Sequence, residues 1–245
     1  MSNNLFGSMK SEGLEQSQDR LGGFQVFESK IYPATVKALY AGEAKSGAMN
    51  LTVVLDLGGS EYRETVYITN KQKENFFTKD GKKQPLPGFT LINDLCVIAT
   101  EKELSQLGTE EKVIKLYDFE AKKEVPTAVQ MVVDAIGKQV AVGILKVREN
   151  KQKKNDSTGK YESVPEERES NRIDKIFHPE FKITVAEARQ GKKEGGFWDA
   201  WTKRNAGQVR DEREIKDGQS GSSGGPPAPS ANVGTAAPKK SLFGK

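Results

Sequence analysis

Alternating apolar and polar residues predict two adjacent strands in the first third of the chain. In the run MNLTVVLDL, one side would carry Leu51, Val53, Leu55 and Leu57, and the other side Thr52, Val54 and Asp56. In the run EYRETVYI, the inner side would carry Tyr62, Val66 and Ile68, and the outer side Arg63, Thr65 and Tyr67. Gly58 and Gly59 separate the two runs, which is typical of a hairpin. An earlier run, IYPATVKALYAG, is rich in β-branched and aromatic residues and predicts a preceding strand.

The apolar spacing then changes to that of a helix. One helical face would carry Phe89, Ile92, Leu95, Cys96 and Ala99. Thr100 and Glu103 have the spacing of a capping box, which predicts a second short helix ending at Leu107. Strand patterns resume in VIKLYDF, TAVQMVVDAIG and KQVAVGILKVR, and Gly137-Lys138 predicts a hairpin between the last two. The run NRIDKIFHPEFKIT predicts a last strand.

This order of elements predicts a mainly β (α+β) domain of the OB-fold type. In that fold an antiparallel sheet of five strands bends into a barrel. The helix would lie between the third and fourth strands. A generic small α+β domain and a β-sandwich remain open as alternatives. We expect the OB-fold to span residues 24–183, including a charged hairpin loop or linker at 150–170.

Segments of different composition flank the predicted domain. Residues 1–23 hold few apolar residues and are expected to form a flexible arm. Residues 184–216 are expected to form a helical, aromatic extension, in which Thr184 and Glu187 make a capping box. Trp198 and Trp201 are expected to pack a helix, with a base-stacking platform as the alternative. Residues 217–245 are rich in Gly, Ser, Pro and Ala, which predicts a disordered linker. A basic and apolar tip ends it, formed by Lys239, Lys240, Leu242, Phe243 and Lys245.

Composition argues against several kinds of site. The chain has one cysteine and one histidine, so it cannot form an internal disulfide, and a zinc finger is not expected. No run approaches the roughly 20 apolar residues of a membrane span, and no signal peptide is evident, so we expect a cytoplasmic protein. The sequence lacks the GxxxxGK[ST], GxSxG and HExxH motifs, and we expect no cofactor, metal site or catalysis. A metal-dependent nuclease remains an alternative, because Glu180–Lys182 and Glu214–Lys216 resemble half of a nuclease motif.

Positive charge is concentrated between residues 66 and 89. The whole chain carries a net charge of +4, and residues 31–150 hold 16 basic and 16 acidic residues. The segment VYITNKQKENFFTKDGKKQPLPGF within this range holds five lysines and only two acidic residues. Charge clustered in an otherwise neutral region predicts an acidic partner.

Two adjacent phenylalanines lie among these lysines. Single-stranded nucleic acid is bound by cations along its phosphates and by aromatic faces that stack on its bases. We predict phosphate contacts at Lys71, Lys73, Lys79, Lys82 and Lys83, with Lys45 as a further contact. Tyr67 and one of Phe76 and Phe77 would stack on bases, and Arg63 would assist either interaction. We expect residues 71–83 to be a loop that DNA orders. In the alternative interpretation, the rings pack under the sheet and the lysines solvate the loop.

The same region resembles a known family. The segment VYITNKQKENFFTKDGKKQPLPGFTLINDLCVIATEKEL is similar to bacteriophage single-stranded DNA-binding proteins with an OB-fold core, and AKSGAMNLTVVLDL resembles the entry to their second strand. The similarity covers roughly residues 31–148. It implies sequence-tolerant binding and protection of single-stranded DNA during phage replication, recombination and repair, in the host cytoplasm and without catalysis.

The C-terminal tip departs from that family. Many such proteins end in an acidic tail that recruits replication partners, whereas this tip is basic around Phe243. We expect it to bind an acidic surface, such as that of a polymerase or another replication or transcription protein, or to add DNA affinity. A transcription or recombination regulator, anchored on single-stranded DNA and acting through its tail, is the alternative.

Overall fold

The computed structural model describes residues 26–118, 121–192 and 195–215. Its secondary structure is mainly β, with antiparallel sheets and few helices, as predicted. The described residues divide into two compact units. One runs to Arg148 and resumes over Glu169–Glu212, and the other holds Glu149–Arg168 and the described residues from Arg213 onwards. The predicted arm 1–23 and the predicted linker 217–245 with its tip lie outside the described residues.

Three strands form an antiparallel meander in the first unit. They are β1 (Lys30–Glu43), β2 (Met49–Asp56) and β3 (Glu61–Tyr67). β2 pairs with both neighbours, which confirms the predicted strands and the hairpin between β2 and β3. The predicted inner residues of β3 and its end, Tyr62, Val66 and Ile68, are buried, as alternation requires. A register shift between Val36 and Ala38 interrupts the pairing of β1 with β2.

A separate two-stranded hairpin follows β3. It comprises β4 (Phe76–Lys79) and β5 (Lys82–Pro85). Asp80 and Gly81 connect the strands and have φ values of 51° and 71°. Two consecutive residues with positive φ are the hallmark of a type I′ turn, which suits Asp-Gly. The expectation of an irregular loop over residues 71–83 was therefore wrong for most of its length, since the Asp-Gly turn signal sets a hairpin.

One long helix packs on the meander. It is α1 (Pro87–Thr100), and its buried apolar residues are Ile92, Leu95 and Cys96. The predicted second helix is reduced to one 3₁₀ turn, Leu104–Gln106. Glu101 caps the C-terminus of α1 and has a left-handed φ of 61°. The capping box formed by Glu103 and Gln106 belongs to the 3₁₀ turn. The predicted box of Thr100 and Glu103 was wrong, because the Thr100 hydroxyl instead donates to the Cys96 carbonyl within α1.

A second hairpin covers the outer side of β1 and β2. It consists of β6 (Glu110–Asp118) and β7 (Lys123–Met131). β7 pairs with β1 at Tyr40 and Ala41. Val129 and Met131 of this hairpin pack in one buried cluster with Tyr40 and Val54. The first unit therefore has apolar packing on both sides of β2, where the sequence predicted a core on one side only.

The next strand, β8 (Gln139–Lys154), pairs with β1 over residues 139–144. A 3₁₀ turn, Val133–Ala135, lies between β7 and β8. The predicted hairpin of these two strands was wrong, since each pairs with β1 and they do not pair with each other. β1 is long enough to serve both, with its first half against β8 and its second half against β7.

The chain ends its described part with four further elements. They are β9 (Tyr161–Phe177), α2 (Val185–Arg189), α3 (Gly196–Asn205) and β10 (Val209–Asp211). β9 pairs with β8 and confirms the predicted last strand as far as Phe177, after which the predicted run continues as a turn. Within the predicted charged loop or linker 150–170, β8 extends to Lys154 and β9 begins at Tyr161. The Thr184 capping box of α2 is confirmed. Trp201 is buried against Phe177, so the predicted packing role of this tryptophan is confirmed.

The strands of the described chain do not close into a barrel. Their path is β10-β8-β1-β2-β3, with β9 beside β8 and the β6–β7 hairpin beside β1. Within the described residues, β3, β6, β9 and β10 each pair with one strand only, so one edge of each is left unpaired. Among the helices that the structure describes, none combines the length and apolarity needed to span a bilayer.

Candidate nucleic-acid interface

The β4–β5 hairpin separates the two predicted stacking rings. Neighbouring residues of a strand point to opposite sides, and Phe76 is half-buried while Phe77 is 39% exposed. The ammonium of Lys83 lies 4.2 Å from the centre of the Phe76 ring, in a cation–π contact. Phe76 is thus already covered by a side chain of its own hairpin. Phe77 is the ring that remains open to a ligand.

Two lysines face each other at the tip of this hairpin. Lys79 and Lys82 are directly opposite in the antiparallel register, and both are exposed. Like charges at paired positions destabilise a hairpin. Neither lysine has an ion-pair partner among the described residues, although Asp80 lies in the turn between them. An anion between the two ammonium groups would relieve their repulsion.

A compact turn precedes the hairpin and is built on Asn70. The Asn70 side-chain oxygen accepts hydrogen bonds from the backbone N–H groups of Gln72 and Glu74, both at 2.9 Å. This Asx-type turn orients Lys71 and Lys73. Lys73 has a left-handed φ of 63°, and its ammonium lies 3.1 Å from a Glu43 carboxylate oxygen. The turn is thereby joined to the end of β1.

That ion pair brings two predicted basic segments together. Lys45 lies in the turn that directly follows Glu43, and the backbone of this turn is closed by hydrogen bonds between Ala44 and Ala48 and between Gly47 and Ala44. Lys45 and Lys71 are both exposed. Lys73, in contrast, already has a partner, so the structure ranks it below Lys71 as a phosphate contact.

The outer side of β3 offers less surface than predicted. Tyr67 is 55% exposed at the end of the strand, as predicted. Arg63 is exposed but forms an ion pair with Glu61 at 3.3 Å. The predicted neighbours on β2, Thr52 and Val54, are buried rather than exposed. The expectation of an open face there was wrong because the β6–β7 hairpin packs on Val54.

A glycine at the start of α1 fixes the helix against the end of β3. A side-chain carbon at Gly88 would lie 2.1 Å from the Tyr67 carbonyl oxygen and 3.0 Å from a Val66 methyl group. Only a residue without Cβ permits this approach. Pro87 occupies the first turn of α1, where its missing N–H costs nothing. The PGF sequence therefore positions Tyr67, a role that its turn-like composition did not reveal.

A carboxylate beneath this surface connects two strand edges. Glu64 of β3 accepts hydrogen bonds from the Tyr62 hydroxyl at 2.6 Å and from the Ile173 backbone N–H of β9 at 2.7 Å. Burial raises the pKa of Glu64, although these two hydrogen bonds and the charge of Arg172 act in the opposite direction. Burial and the Glu64 carboxylate also raise the pKa of Tyr62. Nothing in the sequence pattern singled out Glu64, because its partner Ile173 lies in β9, more than 100 residues later in the chain.

The residues of the nuclease alternative are not brought together within one unit. Glu180 lies in an exposed turn of the first unit, and the Glu214 carboxylate accepts a hydrogen bond from the Ser163 hydroxyl at 2.7 Å in the second. Lys216 and the tip residues 239–245 lie outside the described residues. In the part of the chain that the structure describes, no group of three His, Cys, Asp or Glu side chains could hold a metal ion.

The basic and aromatic surface defined here thus has three parts: the Asp-Gly hairpin, the Asn70 turn with the adjoining β1–β2 turn, and Tyr67. We call it the hairpin surface. Comparisons of the chain with protein-family models, with curated proteins and with solved structures find no match.

Proposed function

We propose that the protein binds single-stranded DNA without sequence preference and that the hairpin surface is its binding site. The observation that carries this proposal is the tip of the β4–β5 hairpin. An exposed aromatic ring, Phe77, lies on the same hairpin as the opposed Lys79 and Lys82. A single strand offers both ligands that such a tip lacks, namely an unpaired base for the ring and phosphates for the ammonium groups.

The strand arrangement supports an OB-fold as the scaffold. β1, β2 and β3 form a meander, α1 follows β3, and β8 then pairs with β1 and β9 with β8. This is the order expected of a five-stranded OB-fold with its helix after the third strand, and the β6–β7 hairpin would be an insertion. The hydrogen bond from Ile173 to Glu64 lies where β9 would meet β3 in such a barrel. A side chain would there replace part of the missing ladder.

Binding would follow from two additive contributions. Each lysine that neutralises a phosphate releases counterions, which makes affinity depend on salt. Each base stacked on an aromatic ring contributes about 1–3 kcal/mol. We assign phosphate contacts to Lys45, Lys71, Lys79 and Lys82, and stacking to Phe77 and Tyr67. Three further cations already have partners: Lys73 pairs with Glu43, Lys83 contacts the Phe76 ring, and Arg63 pairs with Glu61. They would contact DNA only by exchanging these partners.

The two adjacent phenylalanines offer a matched test. Phe77→Ala should weaken binding to a labelled oligothymidylate by about 5- to 150-fold, the equivalent of one stacked base, with an unchanged melting temperature. Phe76→Ala removes a half-buried ring, so it should lower the melting temperature and affect affinity less. Fluorescence anisotropy and calorimetry measure the two quantities. Equal affinity losses for both variants would show that Phe77 is not the selective contact.

The lysines at the hairpin tip allow a second test of the same site. Removing one phosphate contact reduces the slope of log affinity against log salt by about 0.7 for a single strand. Lys79→Ala and Lys82→Ala should each produce this reduction. Lys138→Ala, a lysine outside the hairpin surface, is the control and should leave the slope unchanged. A slope that is the same in all three variants would place the phosphates elsewhere.

We further propose that this binding serves phage replication, recombination and repair in the host cytoplasm, on the strength of the sequence resemblance. The tip, residues 239–245, would then bind an acidic surface on a polymerase or a related partner. Deletion of these residues, followed by measurement of DNA affinity and of partner capture, tests this role. If both quantities stay unchanged, the tip has neither function.

A further inference from the structure

A concave surface lies beside α3 in the first unit. It is a groove of about 640 Å³ between α3, β9 and β10. Its wall on the helix side is formed by Phe197, Ala200, Trp201 and Arg204. These positions have the spacing i, i+3, i+4 and i+7, so they share one face of α3. The groove thus has an aromatic and a basic end along a single helix.

The aromatic end combines a fixed ring with an open one. Trp201 is 3% exposed, and its indole N–H donates to an Asp174 carboxylate oxygen at 2.6 Å. Phe197 is 42% exposed, and the ammonium of Lys175 lies 5.6 Å from its ring centre. The backbone N–H of Phe197 donates to buried Glu187, which holds the first turn of α3 in place. An exposed ring on a fixed helix end is a suitable surface for stacking.

The basic end contains two arginines, Arg204 and Arg210. Arg210 is paired with Glu212 at 3.0 Å and lies 4.0 Å from Asp174. Arg204 makes no hydrogen bond or ion pair with any residue that the structure describes, and it is exposed. Asp174, the carboxylate that lines this groove, accepts the Trp201 N–H and lies 4.0 Å from Arg210. Within the described part of the chain, Arg204 is therefore the arginine of this groove that is available to bind an anion.

Two amide side chains also line the groove, at and after the C-terminal end of α3. Asn205 donates one amide hydrogen to the Trp201 carbonyl, and its side-chain oxygen remains available among the described residues. The backbone carbonyl of Gln208 accepts a hydrogen bond from the Ser29 hydroxyl. The side-chain amide of Gln208 has no hydrogen-bond partner among the described residues. An amide can hydrogen-bond the edge of any base. Stacking, an anion contact and adaptable amides together match the parts of one nucleotide.

We propose that this groove is a second contact site for single-stranded nucleic acid and that it binds one nucleotide unit. Arg204 binds a phosphate oxygen, Phe197 stacks on the base, and the amides of Asn205 and Gln208 contact the base edge. The choice of nucleic acid as ligand rests on the proposed function. The site itself is separate from the hairpin surface and shares no residue with it.

The chain provides its own reporter for this groove. Both of its tryptophans, Trp198 and Trp201, lie on α3, and Trp201 lines the groove. Tryptophan emission therefore reports on α3, whereas the anisotropy of a labelled oligonucleotide reports binding anywhere on the protein. Full-length protein is titrated with oligothymidylate of about 20 nucleotides, longer than the roughly 4–16 that one OB-fold covers. Wild type should show a saturable change in both signals.

Arg204→Glu should abolish the change in tryptophan emission and weaken total binding by about 3- to 10-fold, one lost phosphate contact plus repulsion. Lys203→Glu is the matched control. It reverses an exposed charge at the next position but does not line the groove, so it should keep the emission change. Phe197→Ala should reduce the change, and a melting temperature within error of wild type for Arg204→Glu verifies that α3 remains folded.

The outcomes separate this inference from the proposed function. An emission change that survives in Arg204→Glu, or that is lost equally in Lys203→Glu, overturns the groove while the hairpin surface stands. If Arg204→Glu loses the emission change while Phe77→Ala and Lys79→Ala bind the oligonucleotide as tightly as wild type, the groove is supported as a binding site. The same result contradicts the hairpin surface as a binding site. Wild-type protein that binds no oligonucleotide in either signal overturns both.

Discussion

The contact between Gly88 and Tyr67 gives a prediction that runs against ordinary helix propensity. Replacing glycine by alanine inside a helix normally stabilises a protein by up to about 1 kcal/mol. At Gly88 the added carbon would lie 2.1 Å from the Tyr67 carbonyl oxygen, about 1 Å closer than such atoms approach. The atom in the way belongs to the backbone of β3, so no side-chain rotation relieves the overlap. α1 or the end of β3 must move.

The expected cost follows from these two effects. Overpacking in a well-packed site costs about 1–3 kcal/mol, and the upper end applies because backbone must shift. After the gain in helix propensity is subtracted, Gly88→Ala should destabilise the protein by about 2 kcal/mol or more. For a chain of this size that corresponds to a fall of roughly 4–8 °C in melting temperature. Because Tyr67 would move with its carbonyl, DNA affinity should fall as well.

Gly196→Ala is the matched control for this experiment. Gly196 also lies in the first turn of a helix, α3, but a side-chain carbon there would have no atom within 4 Å. This variant should be as stable as wild type or more stable by up to about 1 kcal/mol. Urea unfolding followed by circular dichroism measures both variants. A Gly88→Ala protein as stable as the Gly196→Ala protein would refute the assigned contact.

Two further predictions concern polar side chains that organise the site. The pKa of Glu64 is raised in the folded state, so the folded protein binds the Glu64 proton more tightly than the unfolded chain does. The contribution of Glu64 to stability therefore falls as the pH rises from about 4.5 through the folded-state pKa. Glu64→Gln keeps an acceptor for Tyr62 and Ile173 but carries no charge, so its stability relative to wild type should increase with pH. Urea unfolding of both proteins at pH 4 and pH 8 measures this difference. The same stability difference at both pH values would exclude a titrating Glu64. Asn70→Ala removes the acceptor for two backbone N–H groups and should cost about 1 kcal/mol and lower DNA affinity. Asn70→Asp keeps this acceptor but loses the amide N–H that donates to a Glu74 carboxylate oxygen at 3.0 Å, and it places two carboxylates side by side, so it should recover only part of both losses. Equal losses in the two variants would show that the acceptor oxygen is not what matters.

Local patterns predicted the parts of the fold that depend on neighbours in sequence. Alternation in β2 and β3 and the helical spacing in α1 gave these elements nearly in full, because each buries a regular set of side chains. The Asp-Gly pair at residues 80–81 was also a readable signal for a hairpin. That signal was overlooked because the surrounding lysines resembled those of a solvated loop.

Long-range packing explains what the sequence did not show. Val54 alternates as an outward residue of β2, but a hairpin more than 50 residues later in the chain covers it. Likewise, the Gly137-Lys138 pair is typical of a hairpin, yet β7 and β8 both pair with β1. The pairing depends on β1, whose two halves pair with different strands, and no local pattern encodes this division.

The sequence predicted which residues form the candidate site but not which of its lysines are available for phosphates. Lys71, Lys79 and Lys82 are exposed without ion pairs among the described residues, as a phosphate site requires. Lys73 and Lys83 instead hold Glu43 and the Phe76 ring. Partners that lie in other elements, or across a hairpin, decide which cations are free. A sequence lists the cations but not these partners.

Equilibrium binding to single-stranded and duplex DNA over a range of salt concentrations tests the central claim most directly. With about four phosphate contacts at the hairpin surface, log affinity for a single strand should fall with log salt with a slope of about −3. Duplex DNA offers no unpaired base to Phe77 and Tyr67, so its affinity should be lower at every salt concentration. Equal affinity for both forms, or single-strand binding that does not change with salt, would contradict the account.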